Sequence, residues 1–228
     1  MIGVLVNTAA VILGSLIGVL LGRRLPEKLT AAAMGGIGLC TLYIGFSGSL
    51  KGENPLILIA SLALGAILGT LLDLDGAVRR LGRWAQARFS GRDSRIAEGF
   101  VAASLLFCVG AMAVTGSLQA GLSGDNATLY AKSALDFTAA IMLASALGAG
   151  VALSGLAVLI YQGAIALSAG LIAPLLSASA VNEMTCAGSL LIVALGFNLL
   201  GITKIKVADL LPAIVVAPIL TMIAGLLF

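Results

Sequence analysis

An all-α fold, a polytopic transmembrane bundle of about eight helices, is what this sequence predicts, and three observations carry the prediction. Of the 228 residues, 60% are hydrophobic and only 10% charged, against about a quarter charged in a soluble domain. Apolar runs of the roughly 17–25 residues needed to cross a hydrocarbon core occur near 3–22, 31–50, 55–73, 98–121, 128–148, 151–176, 184–202 and 207–227. Lys and Arg fall on alternate connections between those runs, as a fixed orientation in a membrane requires.

The first run ends at Arg23-Arg24. Its positive charges follow the apolar stretch and no small-residue cleavage pattern is present, so it reads as a retained span and not a signal peptide. Gly14, Gly18 and Gly22 form a small-residue stripe on it, and Gly65 and Gly69 form a shorter one on the third run. Such stripes let helix backbones approach closely, and they signal packing more strongly than dimerisation.

The one long connection is 74–97. Leu74, Val78, Leu81, Ala85 and Phe89 recur at helical spacing, with Trp84 alongside and Arg79, Arg80, Arg83 and Arg88 on much of the remainder. This pattern predicts an amphipathic helix in the interface against anionic lipid headgroups. An anchor is the plainer role for it, and regulation by a partner is the alternative.

The fourth and fifth runs make a hairpin around Gly116–Asp136. The sixth is long, with Gly163 as a candidate break. Before the seventh comes Ser177–Thr185, where Asn182 suits a helix cap and Glu183 suits the positive N-terminal dipole. A gate or ion-entry role is the sharper alternative for Glu183. In the eighth run Pro212 and Pro218 free backbone carbonyls, and Asp209 near Lys204 and Lys206 reads as a solvated pair. The chain thus divides into a first triplet (1–73), the interfacial segment (74–97), a central hairpin (98–148) and a second triplet (149–228).

With eight spans, eleven Lys and Arg residues from Arg23 to Lys206 fall on one side, and Lys51 and Lys132 alone on the other. The first side is then cytoplasmic and both termini lie outside. A weak internal repeat supports the division. Gly14, Pro26 and Gly45-Phe46 are spaced by 12 and 31 residues, and Gly163, Pro174 and Gly196-Phe197 by 11 and 33. Five helices separate the corresponding elements, so the triplets would be inverted, as in many secondary transporters. A Gly-rich apolar chain also generates such matches without a repeat. A second echo links Ser47-Gly-Ser-Leu-Lys-Gly52 with Thr115-Gly-Ser-Leu-Gln-Ala-Gly121.

Candidate chemistry centres on Lys132 and Asp136, four residues apart and so on one helix face. Asp136 falls near mid-span, where a carboxylate costs roughly 2.5–3.5 kcal/mol on insertion scales. The pair either neutralises itself as a structural salt bridge, or Asp136 binds a cation or proton while Lys132 tunes it. Lys132 is also about 6 Å nearer the outer surface and able to snorkel there. Asn198, Gln162 with Tyr161, and Asn7 with Thr8 place uncharged polar groups within other spans. Each serves either as a wall group of a polar site or as an interhelical hydrogen bond.

Several functions are set aside. Cys40, Cys108 and Cys186 all lie in apolar runs and read as packing residues. The chain has no His, which removes the commonest metal ligand and the base that the Gly121-Leu-Ser-Gly124 serine would need. No enzyme, cofactor or metal is expected, and no nucleic-acid partner.

At these residues the chain resembles the bacterial membrane proteins of the domain of unknown function 554 family, the YdfK/YqgA type. The matching stretches are Val6-Asn-Thr, Gly14-Ser-Leu-Ile-Gly18, Gly110-Ala-Met-Ala113, Gly116-Ser-Leu118, Gly121-Leu-Ser-Gly-Asp125, Lys132-Ser-Ala-Leu-Asp136, Tyr161-Gln-Gly163, Asn182-Glu183, Gly196-Phe-Asn-Leu-Leu200 and Leu211-Pro-Ala213. Phe137 and Phe197 depart from the pattern and leave the polar positions intact. The resemblance implies an inner-membrane protein and assigns no residue a role.

The expected function is a small ion-coupled secondary transporter with Asp136, Lys132, Asn198, Gln162, Asn7 and Glu183 as candidate binding residues. A channel or a non-transporting scaffold is the alternative, and a homo-oligomer is compatible with the Gly stripes.

Overall fold

The computed structural model describes residues 1–22, 27–80, 96–109, 111–174 and 176–227. All regular structure among them is helical: α1 (Ile2–Gly22), α2 (Glu27–Ser49), α3 (Pro55–Leu71), α4 (Leu74–Arg80), α5 (Ile96–Cys108), α6 (Ala111–Leu122), α7 (Ala127–Leu147), α8 (Gly150–Leu167), α9 (Ala169–Ile172), α10 (Ala178–Leu199) and α11 (Ala213–Leu227), with a 3-10 turn at Val207–Leu210. By length and composition four helical segments among the described residues suit a membrane crossing, or six if the bent pairs α3–α4 and α5–α6 each count as one. α7 stays outside that count, and its paired Lys132 and Asp136 are what lower its hydropathy.

Glycine decides which helices touch. α1 and α7 run parallel, with the Gly3 amide on Asn126 Oδ1 at one end and Gly22 on the Ser145 carbonyl at the other. Gly14 and Gly18 rest on the carbonyls of Phe137 and Ile141, where a Cβ has no room. α2 lies antiparallel to α10, with Gly38 against Leu200, Gly45 against Val193 and Gly52 against Cys186. Gly65 and Gly69 of α3 sit on Ala213 and Asp209. Both stripes are therefore used inside one chain, supplying the close contact that replaces the hydrophobic effect between helices in lipid.

Local chemistry sets the ends. Pro55 opens α3 behind Asn54, whose side chain accepts from the Leu56 amide. Gly148, at φ 77°, closes α7 and lets the chain reverse into α8 within two residues. Ser177 caps α10 by accepting from the Ala180 amide.

Several expectations are corrected by this arrangement. The apolar run 98–121 is two helices bent by 60°, with the elbow at Val109 packed into the notch that Gly188 leaves on α10. The sixth run breaks at Ser168, past the leucine that ends α8, and not at Gly163. α10 begins at Ala178, so Asn182 is not its cap. Instead Asn182 donates to Glu53 Oε1 and Ser179 donates to Glu53 Oε2. Those two bonds hold the Glu53 carboxyl below its ordinary value. Asp209 is buried and accepts the Asp75 amide at the start of α4, and it makes no ion pair with Lys204 or Lys206 among the described residues. Of the interfacial arginines, Arg79 pairs with Asp75 and Arg80 with Asp73. Arg83 and Arg88 lie outside the described residues.

Candidate functional site

Four polar side chains from three helices meet in the interior. Asp136 on α7 accepts from Lys132 Nζ at both carboxylate oxygens, at 2.7 and 2.6 Å. Asn7 on α1 donates through Nδ2 to Asp136 Oδ2 at 3.0 Å and to Gln162 Oε1 on α8 at 3.2 Å. Asn7 and Gln162 are 0% exposed, Lys132 6% and Asp136 5%. Close α1–α7 packing through the Gly stripe brings Asn7 within reach of Asp136, whose side chain leans back toward the start of α7. The antiparallel approach of α8, where Gly155 meets Ile12, brings Gln162 level with both.

The orientation of the Asn7 amide follows from charge. Its nitrogen must face the carboxylate, since the alternative would set oxygen against oxygen. Asn7 Oδ1 and Gln162 Nε2 are then left buried without a partner among the described residues, one acceptor and one donor. Buried polar groups are normally satisfied, so this pair is suited to water or a small polar solute.

Lys132 does not snorkel. A lysine four residues ahead of an acid is the weaker ordering for an exposed helix pair, yet here its amine turns inward onto Asp136. With water excluded, an unpaired ammonium or carboxylate would cost several kcal/mol.

Beside the pair lies a cleft of about 410 Å³ between α2, α7, α10 and the α5–α6 elbow. Lys132, Asp136, Ser47, Lys51, Thr185 and Ser189 supply its polar lining, and Val109 stands at the elbow. Because Lys51 belongs to the α2–α3 turn, the cleft connects the buried pair with that end of the bundle. The elbow itself was hidden in the sequence, where one Gly amid an apolar run is a weak breaker. Thr185 and Ser189 carry no spacing there that sets them apart from the other hydroxyls of the chain.

Two of the six candidate residues lie elsewhere. Asn198 sits at the far end of α10 and is spent on the following loop, accepting from Thr203 Oγ1 and the Ile205 amide and donating to the Ile205 carbonyl. Glu183 is buried in α10 near its start and accepts the backbone amides of Glu53 and Asn54. Groups of three or more acidic or thiol side chains that would hold a metal ion are absent among the described residues.

A helical membrane protein whose interior ion pair borders a polar cleft is the class these features define. The chain belongs to the family described as protein of unknown function DUF554, which matches residues 2–222. It is 32% identical over 223 residues to an uncharacterized membrane protein, YdfK, of Bacillus subtilis, covering 96% of this chain and 95% of that one. It is 34% identical over 221 residues to an uncharacterized protein, YqgA, of Escherichia coli, covering 95% and 94%. No solved structure matches it.

Proposed function

We propose that this protein is a small secondary transporter of the cytoplasmic (inner) membrane, driven by a proton or another cation, with Asn7, Lys132, Asp136 and Gln162 as its polar centre. The observation that carries the reading is the convergence of these four buried groups beside a cleft at a broken helix. Discontinuous helices and buried ionisable residues are how transporters build solute sites near the midplane.

The proposed topology has eight crossings, each of α1, α2, α3, α5–α6, α7, α8, α10 and α11 making one. Both termini lie outside and the Arg-rich segment 74–97 lies in the cytoplasm. Helix pairing supports the inverted triplets: α1 packs on α8, α2 on α10 and α3 on α11, each with its sequence counterpart. The glycine contacts make α2–α10 and α3–α11 antiparallel, and Gly155 on Ile12 together with Gln162 on Asn7 does the same for α1–α8, the relation an inverted repeat requires. Alternating access would rock one triplet against the other around the central hairpin.

The double hydrogen bond within Lys132–Asp136 favours a second reading, a scaffold in which the pair only fixes helix packing. Uptake into proteoliposomes separates the two. Under an imposed proton or sodium gradient, with radiolabelled small polar solutes offered one at a time, we expect saturable uptake of at least one solute. That uptake should vanish in a folded Lys132→Gln/Asp136→Asn variant. Flux that never saturates would indicate a channel, and folded protein inert to every solute and gradient would overturn transport.

A further inference from the structure

We propose that Glu183 is the proton-binding carboxylate of this protein and the latch on the mouth of the cleft, a reading that rests on the transport function proposed above. Glu183 is 2% exposed. Its Oε1 accepts the amides of Glu53 and Asn54, each at 2.6 Å, and its Oε2 is buried with no partner among the described residues. The ion pairs among the described residues are Arg79–Asp75, Arg80–Asp73 and Lys132–Asp136. Asp136 thus has a counter-ion and Glu183 has none. Among the described residues no other carboxylate combines a buried, unpartnered oxygen with the lack of an ion pair.

A proton is the smallest partner that Oε2 can take, and it binds at the expense of the two amide bonds at Oε1, which are strongest to the anion. The step balances without another reactant: a proton from the aqueous phase bonds to Oε2, the side chain passes from one negative charge to none, and no covalent bond breaks. Its consequence lies at Oε1. Hydrogen bonds to a charged acceptor are about twice as strong as those to a neutral one, so protonation loosens the hold on the Glu53 and Asn54 amides. The turn they belong to, which follows Ser49, includes Lys51, and Lys51 lines the cleft with Ser47 and Gly48. On the same helix Thr185 and Ser189 form part of the cleft wall. Proton arrival at Glu183 therefore frees the turn beside the cleft, and proton loss fastens it again.

The charged and titratable groups around Glu183 leave it as the responsive one. Glu53 on the α2–α3 turn is held by Ser179 and Asn182. Cys186, about one turn along α10, donates to the Ser49 carbonyl. Lys51 makes no ion pair among the described residues, and Lys132 and Asp136, on the far side of the cleft, neutralise one another.

Dicyclohexylcarbodiimide, which modifies protonated carboxyls in apolar surroundings, tests the assignment on the full-length protein in lipid nanodiscs. Peptide mass spectrometry should find the adduct on Glu183, increasing as pH falls, absent from a folded Glu183→Gln variant and absent from Asp136. Amide exchange at Glu53 and Asn54 should be roughly tenfold faster in Glu183→Gln than in the wild type, since glutamine offers only a neutral acceptor. An unmodified Glu183 at every pH in folded protein, or an adduct on Asp136 instead, would overturn the proposal. Protection by sodium at fixed pH would assign the site to a metal cation and overturn the proton. Labelling needs no transport, so a modified Glu183 in a protein that moves no solute would sink the transport reading alone.

Discussion

Asp136→Asn is expected to destabilise the folded protein by about 3–5 kcal/mol, the usual result of stripping one partner from a buried ion pair. The Lys132 ammonium would remain 6% exposed and lose the carboxylate to which it donates twice. Lys132→Gln should also be destabilising, through the opposite charge. The double variant Lys132→Gln/Asp136→Asn should recover most of the loss, to within about 1 kcal/mol of the wild type, because two neutral amides four residues apart can hydrogen-bond. Unfolding midpoints of the four proteins in one detergent give the cycle. Single variants that each lie within about 0.5 kcal/mol of the wild type would show the pair to be solvated. The same double variant separates structure from chemistry, since a scaffold would keep its function and a transporter would lose it.

Gly18→Leu should be the most disruptive change on the α1–α7 face. Even a Cβ at Gly18 would fall on the Ile141 carbonyl and lie 2.8 Å from the Ala144 side chain. A backbone carbonyl cannot yield as a flexible side chain can, so α1 must move off α7. Overpacking costs about 1–3 kcal/mol for extra methylenes, and a leucine against backbone should exceed that range. Because α1 carries Asn7, the displacement also takes the amide away from Asp136. Gly36→Ala is the contrasting case: nothing lies within 4 Å of its added Cβ, and alanine favours a helix interior by roughly 0.5–1 kcal/mol. Thermal midpoints should fall sharply for Gly18→Leu and hold or rise slightly for Gly36→Ala. Equal effects at the two positions would mean that the stripe is not a contact surface.

Long-range packing was legible where it depended on residue size. Glycines at four-residue spacing marked α1 and α3 as close-packing faces, and their partners turned out to be α7 and the α11 end of the chain. The membership of the polar centre was partly legible, because an acid, a lysine, Asn7 and Gln162 are each conspicuous in oil. Their meeting was not, since it depends on how three helices rotate about their axes, and an evenly apolar helix carries little periodic signal to set that angle. Asn198 shows the cost of this. Its depth was read from an apolar run that ends later than the helix, and its side chain belongs to the loop at Thr203–Ile205. For Glu183 the same kind of boundary shift removes the dipole reading and leaves the gate alternative untouched. With α10 starting at Ala178, it sits beyond the first turn and faces the α2–α3 turn in place of the helix dipole.

The central claim is that a buried ion pair is reached from one end of the bundle through the cleft along α10. Ser189→Cys, in a chain whose Cys40, Cys108 and Cys186 are replaced by alanine, tests this most directly, because Ser189 lines that cleft about halfway along the helix. Labelling with a membrane-impermeant thiol reagent should modify this cysteine in intact cells, from outside, and bulky modification should block any uptake. A cysteine at position 189 that reacts only after the protein is unfolded, or only from the cytoplasmic side, would contradict the account.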